Sequence, residues 1–187
     1  EGRIRAYINC YTANSGYTNV ARRFRAAIEK GELTYEDYSQ DVLMLQLHAA
    51  SLGLPYLPVR MMQGSGLVKY WGISEEQRKT MEGVDNLKCA EIENPFEPGE
   101  KLLAVPVPKL DCAIIHVQQA SPDGTCIIEG DEFHDIDIAI AAKRLFKQPE
   151  GGGPAAGSGI PGPDGLDGPH GDHGISESGN RISVIGI

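Results

Sequence analysis

The chain has 187 residues, of which 41% are hydrophobic and 23% are charged, a composition sufficient for one packed domain of ordinary size plus an appendage. Its formal net charge of -9 at pH 7 disfavours nucleic acid as a partner, because a phosphate backbone attracts a basic surface. No apolar run approaches the ~20 residues of a membrane span and no signal peptide is apparent, so we expect a cytoplasmic protein without a membrane contact.

Four cysteines, Cys10, Cys89, Cys112 and Cys126, lie far apart and form no Cys-x-x-Cys pair. Three of them lie within apolar stretches, where a free thiol behaves as a small hydrophobic group. We therefore expect reduced, buried thiols, as in a reducing compartment, and no zinc site.

The first two elements are predicted from apolar periodicity. The run "IRAYINC" (4–10) is typical of a β-strand. In "TNVARRFRAAIEKG" (18–31), four apolar residues fall on one helical face: Val20, Phe24, Ala27 and Ile28. Gly31 follows them in the position of a C-terminal helix stop.

The next segment, "YSQDVLMLQLHAASLGLPYLPVR" (38–60), indicates a helix. Ser39 or Asp41 can cap its start, and Gly53 and Pro55 end it. Its leucines and alanines cover most of the circumference, which predicts burial on several sides. Gln40 stands out as a neutral amide at the start of this apolar helix.

Short apolar runs follow at 102–108, 112–117 and 125–130, and each is typical of a strand. The run "DIDIAIAAKRLF" (135–146) returns to helical periodicity. Strands that alternate with helices predict an α/β architecture with a largely parallel sheet. Residues 1–146 are therefore interpreted as one α/β domain.

The character of the sequence changes after Phe146. Residues 147–187 are rich in glycine and proline, and glycine recurs at every third position from Gly159 to Gly174, a collagen-type spacing. A triple-helical stalk and a flexible tail both agree with this pattern. So few triplets, with little proline at the third position, favour the flexible tail. The terminal "RISVIGI" could add a strand or remain without a role.

Three motifs together carry a resemblance to a known family: "YEDYSQDVLMLQLHAASLGLPYLPVRMMQGSG", "ENPFEPGEKLLAVPVPKLDCAIIHVQQASPDGT" and "AIAAKRLF". They resemble, in order and over roughly residues 3–146, the A (alpha) subunit of family I CoA-transferases, in the branch of glutaconate and 3-oxoacid CoA-transferases. The resemblance implies an open sheet flanked by helices and a hetero-oligomer with a B (beta) subunit of similar fold. It also implies a chain clipped at both ends, without the N-terminal strand–helix unit of the family.

The resemblance implies acyl transfer onto an enzyme glutamate, and this glutamate belongs to the B subunit. Acyl-CoA and a carboxylic acid are the substrates, with no resident cofactor and no metal. Gln40 coincides with a family position that holds an amide described as an oxyanion-hole donor. A carboxamide donates without a charge, so it does not form an ion pair with the nucleophile. Without the resemblance, Gln40 is more readily interpreted as a helix-start residue or an exposed amide.

The loop "QGSG" (63–66) is the second candidate, because glycines beside a serine let a ligand approach the backbone. Turn geometry alone also explains such glycines. The resemblance places this loop near the acyl-CoA cleft and makes Gly64, Ser65 and Gly66 binding candidates. Glu129 follows a predicted strand, where open α/β sheets bind ligands, although a solvated loop residue fits the same pattern.

Neither of two further histidines is predicted to act as a catalytic base or a metal ligand. His116, within the run 112–117, is expected to be a packed core residue. His134 is crowded by Glu132, Asp135 and Asp137, but neighbouring positions should point these side chains in different directions, so no metal site is predicted.

Two other functions stay open beside the CoA-transferase. A ring-opening hydrolase acting on a CoA thioester belongs to the same superfamily, but there an acidic residue is expected in place of Gln40. A non-catalytic fragment that only binds its partner agrees with the apparent truncation. The sequence leaves the identity of the exchanged acids open.

Overall fold

The computed structural model describes residues 4–13, 21–120, 125–130 and 132–149. They divide into two units: the described residues of 1–46 with 55–107, and residues 47–54 with the described residues from 108 onward. The predicted tail lies outside the described residues from residue 150 on. Within the described ranges, no helix has the length and apolar character needed to cross a membrane.

The elements follow one another as β1 (Ala6–Asn9), α1 (Arg22–Glu29), β2 (Thr34–Asp37), α2 (Gln40–Ser51), β3 (Tyr56–Val59), α3 (Gly66–Lys69), α4 (Glu75–Thr80), β4 (Ala90–Glu93), β5 (Lys101–Pro106), β6 (Ala113–Val117), β7 (Gln119–Ala120), β8 (Cys126–Ile127), α5 (Asp135–Ala141) and β9 (Leu145–Pro149). The predicted α/β class is confirmed. Pairs β1–β2 and β6–β9 are parallel. The order β3-β5-β4 and the pair β7–β8 are antiparallel, and within the first of these a turn instead of a helical crossover joins β4 to β5.

The helix predicted for 135–146 is too long. Helix α5 ends at Ala141, and Leu145 and Phe146 belong to β9, which pairs with β6. In β9, Leu145 is buried, Phe146 exposed and Lys147 buried, the alternation of a strand with one face on a core. Tertiary pairing therefore overrides the local helical preference of "AAKRLF".

Helix α2 agrees with its predicted position but not with its predicted burial. Leu43 and Leu47 are buried, whereas Leu45 is exposed, so the expectation of burial on several sides is wrong for one side. The Ser39 carbonyl accepts the first helical bond from Leu43 N at 3.0 Å. The Ser39 hydroxyl is buried and has no hydrogen-bond partner in the described part of the chain, so it does not cap the helix.

The first unit packs α1 on the β1–β2 pair and α2 on the β3-β5-β4 sheet. Phe24, on the predicted apolar face of α1, contacts the rings of Tyr7 and Tyr35 at centroid distances of 5.1 and 5.3 Å. A core cluster joins the start of α2 to the sheet, with Tyr38, Val42, Leu43, Val59, Met62, Cys89, Leu103 and Val105.

A buried ion pair lies beneath β2 in this unit. The Arg78 guanidinium bonds the Glu36 carboxylate, and it also donates to the carbonyls of Ile73 and Asp85 at 3.2 and 2.9 Å. Both side chains are almost fully buried, so several simultaneous hydrogen bonds are needed to offset their desolvation. Gly72 runs against the same strand, and a methyl group there would lie 1.7 Å from the Tyr35 carbonyl oxygen.

The second unit is built on the parallel β6–β9 pair. Its core contains Ala113, Ile115 and Val117 of β6 together with Ala142 and Leu145. The alternate residues of β6 face away from this core. His116 is among them and is exposed, so the expectation of a packed core histidine is wrong.

One carboxylate of this unit accepts three hydrogen bonds. Asp137 of α5 bonds His48 Nδ1 at 2.9 Å, His134 Nδ1 at 3.0 Å and Ser51 Oγ at 3.1 Å. The expectation that His134 and Asp137 point apart is therefore wrong, since three residues along a helix start bring them together. Partial burial acts to raise the pKa of Asp137, but the hydrogen bonds from the two histidines and the serine outweigh it and hold the pKa below its ordinary value.

We expect Asp137→Asn to lower the free energy of unfolding by about 2 kcal/mol at pH 7, because hydrogen bonds to an ionised acceptor are lost. A depressed carboxyl pKa stabilises the fold above the ordinary value of about 3.9, and this contribution disappears as the pH falls through the folded-state pKa. The difference between wild type and variant in urea unfolding should therefore shrink below about pH 4.

Asp135→Asn is the matched control. It removes a charge from the same helical turn, and the Asp135 side chain has no hydrogen bond among the described residues. It should cost less than half as much. Equal losses for the two variants, or a loss at Asp137 that does not change with pH, would contradict the role of the three hydrogen bonds.

Candidate functional site

The candidate site lies where β1 and β2 end. Both strands run in the same direction, and their last residues, Asn9 and Asp37, are register partners. Asn9 is buried; its Nδ2 donates to the Tyr11 carbonyl at 2.7 Å and its Oδ1 accepts from Cys10 N at 2.8 Å. The turn beyond β1 is therefore fixed at the edge where open α/β sheets bind ligands.

Gln40 is the first residue of α2 and follows this edge after two residues. Its side chain is exposed, and its amide makes no hydrogen bond within the described ranges. The amide therefore does not satisfy a backbone group of the helix start. A neutral donor is available to solvent or to a ligand at the positive end of a helix of 12 residues.

The loop 63–66 has its own internal hydrogen bonds. Ser65 donates to the Met62 carbonyl from Oγ at 2.6 Å and from N at 3.0 Å, and Gln63 Nε2 donates to the Lys101 carbonyl at 2.6 Å. Gly64 has a φ of 72°, a conformation that favours glycine. Turn geometry thus accounts for Ser65 and Gly64.

For Gly66, neither a positive φ nor a close contact requires a glycine. A methyl group there would meet the Tyr70 ring at 3.6 Å, an ordinary contact. Of the two predicted glycines of this loop, Gly64 is explained by its positive φ, whereas the conformation and surroundings of Gly66 would also accept a side chain.

Met62 precedes this loop with a φ of 66°, and it is the one residue other than glycine with positive φ in the described part of the chain. Such a conformation costs on the order of 1 kcal/mol or more and persists where neighbours hold it. Burial of the Met62 side chain and the two bonds from Ser65 to its carbonyl supply that restraint. The loop geometry is therefore specified by packing, which the sequence pattern did not indicate.

Lys88 joins the two candidate segments. Its fully buried Nζ donates to the Asp37 carbonyl at 2.5 Å and to the Leu67 carbonyl at 2.8 Å. Since both oxygens bond one nitrogen, the end of β2 and the start of α3 are adjacent. Gln40 and Gly66 thus belong to neighbouring segments of the same unit.

The surroundings of Lys88 keep it in place. Its Nζ lies 5.0 Å from the centroid of the Tyr38 ring, and the Tyr38 hydroxyl donates to the Lys88 carbonyl at 3.1 Å. Burial lowers the pKa of Lys88, while the nearby Glu36 carboxylate acts in the opposite direction. Sequence reasoning missed this residue, because a lysine beside Cys89 carries no periodic or spacing signal.

Two groups near the site, the Cys10 thiol and the Glu36 carboxylate, are held in unreactive forms. Burial raises the pKa of the Cys10 thiol, which stays protonated at neutral pH and is a weak nucleophile. The Glu36 carboxylate is buried and bonded to Arg78. The described part of this unit thus presents the Gln40 amide after the strand ends and keeps the Glu36 carboxylate out of reach, while the carboxylate of the next residue, Asp41, is exposed.

Glu129 lies in the second unit, after the two-residue strand β8. Its side chain is exposed and its backbone N donates to Gln118 Oε1 at 2.8 Å. Strand β8 is antiparallel to β7, so the parallel-strand reason for placing a ligand there is not met. Over the described residues, no three histidine, cysteine, aspartate or glutamate side chains converge as a metal site would require.

Comparison with known proteins gives a family match and several related proteins. The coenzyme A transferase family matches residues 1–151. The A subunit of glutaconate CoA-transferase from Acidaminococcus fermentans is 66% identical over 143 residues, which cover 76% of this chain and 45% of that protein. The crystal structure of glutaconate coenzyme A-transferase from the same organism superposes with a TM-score of 0.75 at 64% identity, over 76% of this chain and 45% of that one.

A more distant relative comes from Rhodococcus jostii. Its cholesterol ring-cleaving hydrolase IpdA subunit is 29% identical over 126 residues, which cover 65% of this chain and 38% of that protein. The chain therefore spans less than half the length of these curated relatives.

We expect Lys88→Met to lower the free energy of unfolding by about 3 kcal/mol, because two buried carbonyls lose a charged donor. Urea unfolding measures the change. Lys79→Met is the matched control at an exposed position of α4, where a loss within about 0.5 kcal/mol is expected. Similar small losses at both positions would show that Lys88 does not hold the two segments together.

Proposed function

The chain belongs to the coenzyme A transferase family, and from this premise we propose that it is the A-subunit part of an enzyme that moves CoA between carboxylic acids. The observation that carries the proposal is the 66% identity to the A subunit of glutaconate CoA-transferase over 143 residues. A B subunit is the proposed partner. The four free thiols suit a reducing, cytoplasmic compartment.

In the proposed reaction a glutamate of the B subunit supplies the nucleophile. Its carboxylate attacks the thioester carbonyl of acyl-CoA, and the thiolate of CoA leaves. The thiolate then attacks the glutamyl carbonyl of the resulting anhydride, which releases the first acid and leaves a glutamyl thioester with CoA. A second acid reverses these steps. Each attack passes through a tetrahedral oxyanion, which needs a hydrogen-bond donor placed in advance.

Gln40 is proposed as one such donor. Its amide is exposed at the first turn of α2 and makes no bond within the described residues, so no internal acceptor competes for it. The helix end adds positive potential where negative charge develops. A lysine or arginine at the same place would pair with the nucleophilic carboxylate and lower its reactivity.

The loop at Gly64, Ser65 and Gly66 is proposed to line the acyl-CoA cleft beside Gln40. The adjacency of the two segments through Lys88 supports this placement. Gly66 is the position where close approach of a ligand to the backbone explains the glycine. Glu129 is also proposed to contact substrate, and the exposure of its side chain supports this. CoA and acyl-CoA are substrates in this scheme, and no resident cofactor is invoked.

The transferase is preferred over the hydrolase of the same superfamily for two reasons. Identity to the transferase relative is 66%, against 29% to the hydrolase relative. The neutral amide at Gln40 also lacks the acid expected in the hydrolase. If the chain is a non-catalytic fragment, its complex with the B subunit should transfer no CoA. CoA transfer by the assembled enzyme therefore distinguishes the transferase from the non-catalytic fragment.

We expect Gln40→Ala to lower kcat by about 100-fold in the assembled two-subunit enzyme, because removal of one oxyanion donor costs about 3 kcal/mol in the barrier. Gln40→Glu keeps the shape, loses both N–H donors and should be at least as slow. Steady-state kinetics with acyl-CoA and an acceptor acid measures both variants.

Gln119→Ala, at an exposed glutamine of the other unit, should retain full turnover. Because Gln40 is exposed, the melting temperature of its variants should match wild type. Unchanged kcat in Gln40→Ala would remove this residue from the site, and absence of transfer by the assembled wild type would reject the transferase itself.

Gly66→Ala should raise KM for acyl-CoA roughly tenfold with little change in stability, because the added methyl makes only an ordinary contact with the Tyr70 ring within the fold but would crowd a bound ligand. The contrasting variant is Gly72→Ala, whose methyl would overlap the Tyr35 carbonyl and should prevent folding. Thermal unfolding and initial rates distinguish the two. A wild-type KM in a folded Gly66→Ala enzyme would contradict close approach of CoA to this loop.

A further inference from the structure

The turn between β4 and β5, residues 94–100, is held by a dense set of hydrogen bonds. Asn94 Oδ1 accepts from Phe96 N at 3.0 Å, and Asn94 N donates to the Glu100 carbonyl at 2.9 Å. Gly99 N donates to Glu93 Oε1 at 3.1 Å. Gly99 has a φ of 89°, which favours glycine. The turn therefore has a defined shape that its own residues and the adjoining strand ends supply.

This turn presents one large apolar side chain to solvent. Phe96 is 93% exposed, the highest value among the exposed large apolar residues of the described ranges. Phenylalanine gains strongly from burial, and aromatic side chains are favoured anchors at protein interfaces. Because the turn is already ordered, little conformational freedom is lost when the ring enters a pocket.

The charges around the ring are mostly acidic. Arg60 pairs with Glu100 at 2.6 Å, and Lys101 pairs with Glu91 at 3.3 Å. Glu93 and Glu97 add two further carboxylates on the flanks of the turn, with Glu97 4.0 Å from the already paired Arg60. A surface that receives this turn should therefore combine an apolar pocket with a basic rim.

We propose that the turn 94–100 is a docking element that inserts Phe96 into an apolar, basic-rimmed pocket of the companion B subunit. This inference rests on the proposed function, which requires such a partner. A second copy of this chain is a poorer occupant, because it brings a net charge of -9 to an acidic surface. The turn would thus contribute to assembly, and its side chains would take no part in the transfer chemistry.

The test measures binding of the full 187-residue chain to the B subunit of the Acidaminococcus fermentans enzyme by titration calorimetry. Phe96→Ala should raise Kd roughly 30-fold or more, which is the loss typical of truncating a central aromatic anchor of an interface. Phe96→Tyr keeps the ring and should bind nearly as wild type. Glu97→Lys should slow association, because it places a like charge against the basic rim. All three should unfold as wild type does.

Each other outcome overturns the inference. If wild type binds and Phe96→Ala binds equally well, the turn is not an anchor, and the proposed transferase stands. If wild type does not bind the B subunit, the proposed partner fails as well. If Phe96→Ala abolishes only self-association in sedimentation velocity, the occupant is a second copy. If it changes KM for acyl-CoA with unchanged assembly, the ring serves the substrate instead.

Discussion

A single buried ammonium group connects the parts of the first unit on which the candidate site depends. Lys88 Nζ bonds the carbonyl that ends β2 and a carbonyl in the first turn of α3. An apolar side chain such as methionine could fill much of the volume but would donate to neither oxygen. A buried charge is costly, and the two bonds to carbonyl oxygens offset part of its desolvation. The two bonds of Lys88 therefore fix the relative positions of the segments that carry Gln40 and Gly66.

Much of the fold could be predicted because its signals are local. The strand β1, the face of α1 and the glycine stops at Gly31 and Gly53 follow from residues that decide their own conformation. The prediction failed where a distant partner decides. Residues 145–149 form a strand because β6 lies beside them, and His116 is exposed because the single buried face of β6 is filled by its neighbours. Neither fact is encoded in the periodicity of one segment.

Some residues of the candidate site could likewise be predicted from the sequence and others could not. Gln40 and the loop 63–66 came from motif resemblance, which reports chemistry kept at recognisable positions. Lys88 beside this site, and the acceptor Asp137 in the second unit, could not be found this way, since each acts through contacts between segments far apart in sequence. Lys88 reaches from residue 88 to residues 37 and 67, and Asp137 reaches back to His48. Their importance is a property of packing, and a single sequence without its structure does not display it.

The distribution of charge in this unit agrees with the proposed function, in which the nucleophile comes from the B subunit. Three ionisable side chains, Glu36, Arg78 and Lys88, are sealed beneath the strands and bonded to internal partners. Beyond the strand ends, the surface carries the neutral amide of Gln40 beside the exposed carboxylate of Asp41. A cation at position 40 would pair with an attacking carboxylate before reaction, whereas a neutral donor does not. In the proposed reaction, the hydrogen bond from this amide strengthens as the oxyanion forms, which lowers the barrier more than it stabilises the ground state.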